Sequence, residues 1–79
     1  ISLAESLARK FSKAPILYEI IGAAYMGLGD ADKTIDSYKK LLTLTPYNTD
    51  AYNNIGMVFY NKGQFEKAII NYQMLNMPI

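Results

Sequence analysis

Asp30 and Asp32 stand two positions apart, and paired carboxylates can move protons to and from a substrate. Their setting points elsewhere. Both fall where a helix begins, and there an acidic side chain caps free amides and suits the positive helix end. Gly22, Gly27 and Gly29 are closely spaced but lack the Lys-Ser/Thr that lets a glycine loop cradle phosphates. The chain has no cysteine and no histidine. That removes thiol nucleophiles, disulfides, Cys/His metal sites and the imidazole acid–base pair together. No catalytic residue, cofactor-binding residue or metal ligand is expected, and the chain is read as non-enzymatic.

Composition narrows the remaining classes. In 79 residues, 51% are hydrophobic and 19% charged, which suits a folded domain rather than a disordered tail. Eight basic against seven acidic residues give a net charge of +1. That balance does not suit a nucleic-acid or anionic-membrane binder, which needs many basic contacts. Lys39-Lys40 and Arg9-Lys10 are expected on outward faces. No apolar run is long enough to span a bilayer. The first residues lack the charge-then-apolar order of a secretory leader. The absence of cysteine fits a cytoplasmic setting. The missing initiator Met suggests a fragment or a processed chain.

The organising signal is self-similarity at a shift of 34 residues. Tyr18 recurs as Tyr52, Ile21 as Ile55, Gly22 as Gly56 and Gly29 as Gly63. Lys33 recurs as Lys67, Ile35 as Ile69, Tyr38 as Tyr72 and Leu41 as Leu75. Tyr25 answers Phe59, and Asp32 answers Glu66. The same register carries Ile35, Tyr38, Leu41 and Leu42 back onto Ile1, Ala4, Leu7 and Ala8. About two and a half units follow. Residues 1–14 are the second helix of a preceding unit, 15–48 a complete unit and 49–79 a nearly complete one.

Each unit reads as two helices. Tyr18, Ile21, Gly22 and Tyr25 share a helical face, as do Tyr52, Ile55, Gly56 and Phe59. The spacing predicts five helices, at roughly 1–11, 15–28, 31–44, 49–62 and 65–76. Gly29 and Gly63 suit left-handed helix ends, Asp30 a cap, Pro15 a first helical position and Pro46 a stop. Gly22 and Gly56 lie within helices, where each costs about 1 kcal/mol relative to Ala. Close approach of a partner helix explains them, with Tyr38 and Tyr72 filling the space. The expected core is Tyr18, Ile21, Tyr25, Ile35, Tyr38, Leu41, Ile55, Phe59, Ile69 and Tyr72. Truncating one buried aromatic should cost about 3–5 kcal/mol.

These residues resemble the tetratricopeptide repeat (TPR), a helix–turn–helix unit. One copy carries Tyr18, Ile21-Gly22, Tyr25, Gly29-Asp30, Ile35, Tyr38, Leu41 and Pro46. The next carries Tyr52, Asn54-Ile55-Gly56, Phe59, Gly63, Phe65, Ala68-Ile69 and Tyr72. Thr34 stands where the family usually has Ala, Ala31 where it has an aromatic, and Ser12 where Pro46 appears one unit later. Pro78 is at the wrong offset to close the last unit. The resemblance implies an all-α, right-handed solenoid of antiparallel helix pairs.

It also implies a concave groove, lined by the first helix of each pair, that grips a peptide or a partner helix. Carried over by position, that face is Ile16, Glu19, Ala23, Met26 and Gly27, then Asp50, Asn53, Met57, Tyr60 and Asn61. Methionine and tyrosine suit adaptable apolar contact, and Asn can bond an extended backbone. Met26 and Met57 can equally pack between helices. Glu19 and Ala23 stand where a clamp for acidic C-terminal tails would need a basic residue and an Asn, so tail capture is not expected. The leading function is a protein-interaction scaffold. The alternatives are self-assembly through uncapped solenoid ends and service as the targeting arm of a larger enzyme, such as a glycosyltransferase.

Overall fold

A computed structural model describes residues 14–76. Four α-helices follow one another: α1 (Pro15–Leu28), α2 (Ala31–Leu44), α3 (Thr49–Asn61) and α4 (Phe65–Gln73). A 3-10 turn at Met74–Asn76 ends the described chain. The expected helix over 1–11, with the basic pair Arg9-Lys10, and the expectation for Pro78 lie outside the described residues. The helix starts match expectation. At the far ends, α3 stops at Asn61, and α4 gives way to the tighter 3-10 turn after Gln73.

Local chemistry sets these boundaries. Pro15 opens α1, where no amide donor is needed. Gly29 and Gly63 each have φ of 77°, a conformation a Cβ would oppose. Behind each glycine the chain folds back in the same way. Asp30 N–H donates to the Tyr25 carbonyl at 3.0 Å, and Gln64 N–H donates to the Phe59 carbonyl at 2.9 Å. Asp30 caps α2, accepting from Lys33 N–H at 3.1 Å. Asn48 caps α3, accepting from Ala51 N–H at 3.0 Å. Gln64 precedes α4 without a side-chain cap. Pro46 follows the end of α2.

The helices form two hairpins, α1 with α2 and α3 with α4, joined by packing of α2 on α3. The close approach inferred from the glycines is present. A Cβ on Gly22 would lie 2.8 Å from Cζ of Tyr38, and one on Gly56 2.6 Å from Cε1 of Tyr72. No real Cβ makes such contacts, so glycine lets each tyrosine ring lie on the facing helix.

The main core joins Ile35, Tyr38 and Leu41 of α2 to Ala51, Ile55 and Val58 of α3. Tyr18, Met26, Ala31, Leu42 and Phe59 pack around it, half-buried. A smaller cluster holds Ile21 and Tyr25 against Leu17. Thr34, where the family prefers Ala, is fully buried, and its hydroxyl donates to the Asp30 carbonyl at 2.7 Å. The local bond removes the penalty of burying that hydroxyl.

The core expectation needs correction at Ile69, which is 54% exposed, whereas its counterpart Ile35 is 7% exposed. Tyr18, Phe59 and Tyr72 are half-buried rather than buried. Ala51, Val58 and Ala68 are buried without having been singled out. The reason is coverage. Helix α3 lies over α2, and among the described residues no helix lies over α4 in the same way.

Candidate protein-interaction face

The site residues expected from the sequence lie on α1 and α3, the first helices of the two hairpins. Glu19 is half-buried, whereas Ala23, Asp50, Asn53, Met57, Tyr60 and Asn61 are exposed. Ile16 and Gly27 are exposed as well. Met26 is half-buried and packs against the main core. The two methionines thus divide the roles the sequence left open. Met26 fills space between helices, and Met57 stands 41% exposed.

Three small groupings organise the face. Asn48 bridges two helices, because its carboxamide oxygen caps α3 while its Nδ2 donates to Glu19 Oε1 at 3.3 Å. Along α3, Asn53 Nδ2 points to the Met57 sulfur at 3.7 Å, a weak contact that keeps both side chains on one turn. Tyr60 is 58% exposed and meets the Phe65 ring edge-on, with centroids 5.3 Å apart and planes at 65°.

Beneath the face lies Tyr38. Its ring is buried and its hydroxyl shares a hydrogen bond with Asn54. Burial pushes the phenol above its ordinary value of 10.0; the Asn54 bond opposes that shift, and the negative charges of Glu19 and Asp50 add to it. Both carboxylates therefore act on one hydroxyl, although they are 31 positions apart in the chain.

Asn48 and its bond to Glu19 were not found from the sequence. The cap itself had a signal, an Asn just before a helical pattern. The bond to Glu19 spans 29 residues and has none. The recurrence of Lys33 as Lys67 also acquires a reason. Lys33 Nζ lies 5.3 Å from the Tyr25 ring centroid and Lys67 Nζ 5.5 Å from that of Phe59. Among the described residues no group of His, Cys, Asp and Glu is placed to hold a metal ion, and no helix is long and apolar enough to cross a membrane.

The sequence model of the TPR repeat matches residues 22–63, more than half of the chain. The chain belongs to the tetratricopeptide repeat family. The crystal structure of MamA superposes with a TM-score of 0.87 over 90% of this chain and 42% of that one, at 24% identity, which establishes the solenoid fold. Among relatives, the BBSome complex member BBS4 of Bos taurus is 30% identical over 61 residues, 77% of this chain and 12% of that protein. The TPR repeat-containing protein MJ0798 of Methanocaldococcus jannaschii is 32% identical over 59 residues, 75% of this chain and 18% of that protein. The chain thus matches less than a fifth of either relative's length. TPR repeats generally mediate protein–protein interaction and are typically non-catalytic.

Proposed function

We propose that this TPR segment is a non-catalytic arm that seats a peptide or partner helix along α1 and α3. The observation that supports it most is the pair Met57 and Tyr60. Both are large, apolar-bodied and exposed, on a helix whose opposite face supplies Ala51, Ile55 and Val58 to the core. Asn53 and Asn61 beside them offer donors and acceptors to a peptide backbone. An aromatic and a methionine flanked by amides suit an adaptable binding surface.

The test is binding of a displayed peptide library to the 79-residue chain, followed by titration of an enriched peptide against variants. Met57→Ala and Tyr60→Ala together should weaken binding at least about tenfold, with helical circular dichroism unchanged. Lys39→Ala and Lys40→Ala on α2 should leave affinity unaltered. Loss of binding from the α2 pair instead would overturn the reading.

A second reading has its own observation. Phe65, Ile69 and Ile70 are all more than half exposed on α4. A surface of that kind supports self-association. Sedimentation equilibrium decides it, because a clean monomer at millimolar concentration removes self-assembly as a function.

A further inference from the structure

The charges of the molecule are sorted by helix. Helices α1 and α3 carry Glu19 and Asp50 and no Lys or Arg, in a chain whose overall charge is +1. The described basic residues lie elsewhere and are partly engaged. Lys33 and Lys67 sit over aromatic rings, and Lys62 pairs with Asp32 at 3.5 Å.

Asp50 has a structural reason for its place in the first turn of α3, where the helix dipole favours an acid. Glu19 has no such reason. It lies within α1, half-buried, and among the described residues its hydrogen-bond partner is the neutral amide of Asn48. Among the described residues no cation pairs with this half-buried carboxylate, which leaves its charge available to a cation that arrives from outside. Asn48 ties Glu19 to the N-terminus of α3, whose first turn carries Asp50, and the exposed Ala23, Met57 and Tyr60 belong to the same two helices.

We infer that the partner segment is cationic: a Lys- or Arg-bearing stretch of protein whose charge meets Glu19 and Asp50 while its apolar neighbours cover Met57 and Tyr60. The inference rests on the binding-face reading above. Charge complementarity decides the partner's chemistry, since an acidic segment here would face two carboxylates on helices that carry no Lys or Arg.

The experiment uses three peptide libraries, identical except that one fixed position is Arg, Gln or Glu, displayed to the whole chain. The Arg library should be enriched about tenfold over the Gln library, the Glu library should be depleted, and added salt should weaken an enriched Arg peptide. Glu19→Gln keeps an acceptor for Asn48 and should cost that peptide several-fold in affinity, as should Asp50→Asn. Glu19→Lys should shift enrichment toward the Glu library, a gain that misfolding cannot produce. Equal enrichment of all three libraries, still abolished by Met57→Ala with Tyr60→Ala, would overturn the charge inference and leave the binding face standing. Binding by no library, or binding insensitive to Met57 and Tyr60, would overturn both.

Discussion

The α1–α2 and α3–α4 hairpins share their glycines, their tyrosines and their turn geometry, yet they end in different environments. Tyr38 packs on Gly22 as Tyr72 packs on Gly56, and Lys33 lies over Tyr25 as Lys67 lies over Phe59. Beyond these contacts the hairpins diverge. Ile35 and Leu41 are sealed under α3, whereas Ile69 is exposed and Leu75 half-buried. Helix α2 has an Asp30 cap and 14 residues, while α4 has no side-chain cap and 9. Repeated residues therefore fix contacts within a hairpin. How deeply they are buried depends on what lies against that hairpin's outer side.

The sharpest way to break this comparison is to truncate matched core residues. Ile35→Ala should cost about 2–5 kcal/mol. Ile69→Ala should fall within about 0.5 kcal/mol of the parent. Urea midpoints of the two variants measure the difference, and equal costs would contradict the coverage account.

A smaller effect separates the glycines. Gly22→Ala forces a Cβ against a buried ring held by Asn54, an overpacking cost of about 1–3 kcal/mol, offset by about 1 kcal/mol of helix propensity. Gly56→Ala makes the closer contact, but Tyr72 is half-buried rather than buried, so its ring should yield more cheaply. Thermal melts should rank Gly22→Ala as the more damaging.

The same tyrosine yields a pH prediction. The folded state raises the Tyr38 phenol above 10.0, so above that pH the unfolded chain loses its proton first. Stability should then fall as pH rises from about 10 toward the folded value. Denaturant titrations across that range should show a slope that Tyr38→Phe reduces.

Next comes the capping difference. Asp30→Ala should cost about 1 kcal/mol, since it removes the bond to Lys33 N–H. Gln64→Ala should cost almost nothing, because Gln64 makes no cap bond and its buried Oε1 is without a partner. Hydrogen exchange in the first turns of α2 and α4 reads both. The smallest effect should be a matching one. Lys33→Ala and Lys67→Ala should each lose about 0.5–1 kcal/mol, as the two lysines make the same ring contact.

Much of the fold was legible because its determinants are local or periodic. Gly29 and Gly63 announced the left-handed turns, Pro15 and Asp30 the helix starts, and mid-helix Gly22 and Gly56 their tyrosine neighbours. The exposure of Ile69 was not legible, because it depends on what lies against α4 rather than on Ile69's own sequence context. The shorter α4 was missed because a 3-10 ending shares the apolar pattern of a helix. On the candidate face, the family resemblance named Glu19, Ala23, Asn53, Met57 and Tyr60, residues of the two first helices. It could not separate Met26, which packs on the core, from Met57, which does not. Nor could it bring Asn48 to Glu19, since that bond depends on how α3 sits against the first hairpin.

The central claim is that a partner meets this TPR segment on its first helices rather than on the exposed apolar side of α4. Amide NMR spectra of the chain, recorded with and without an Arg-bearing peptide enriched from the libraries, test it most directly. The account predicts that shifts concentrate on Glu19, Ala23, Asp50, Asn53, Met57 and Tyr60. Shifts concentrated on Phe65, Ile69 and Ile70, with the first helices unmoved, would contradict it.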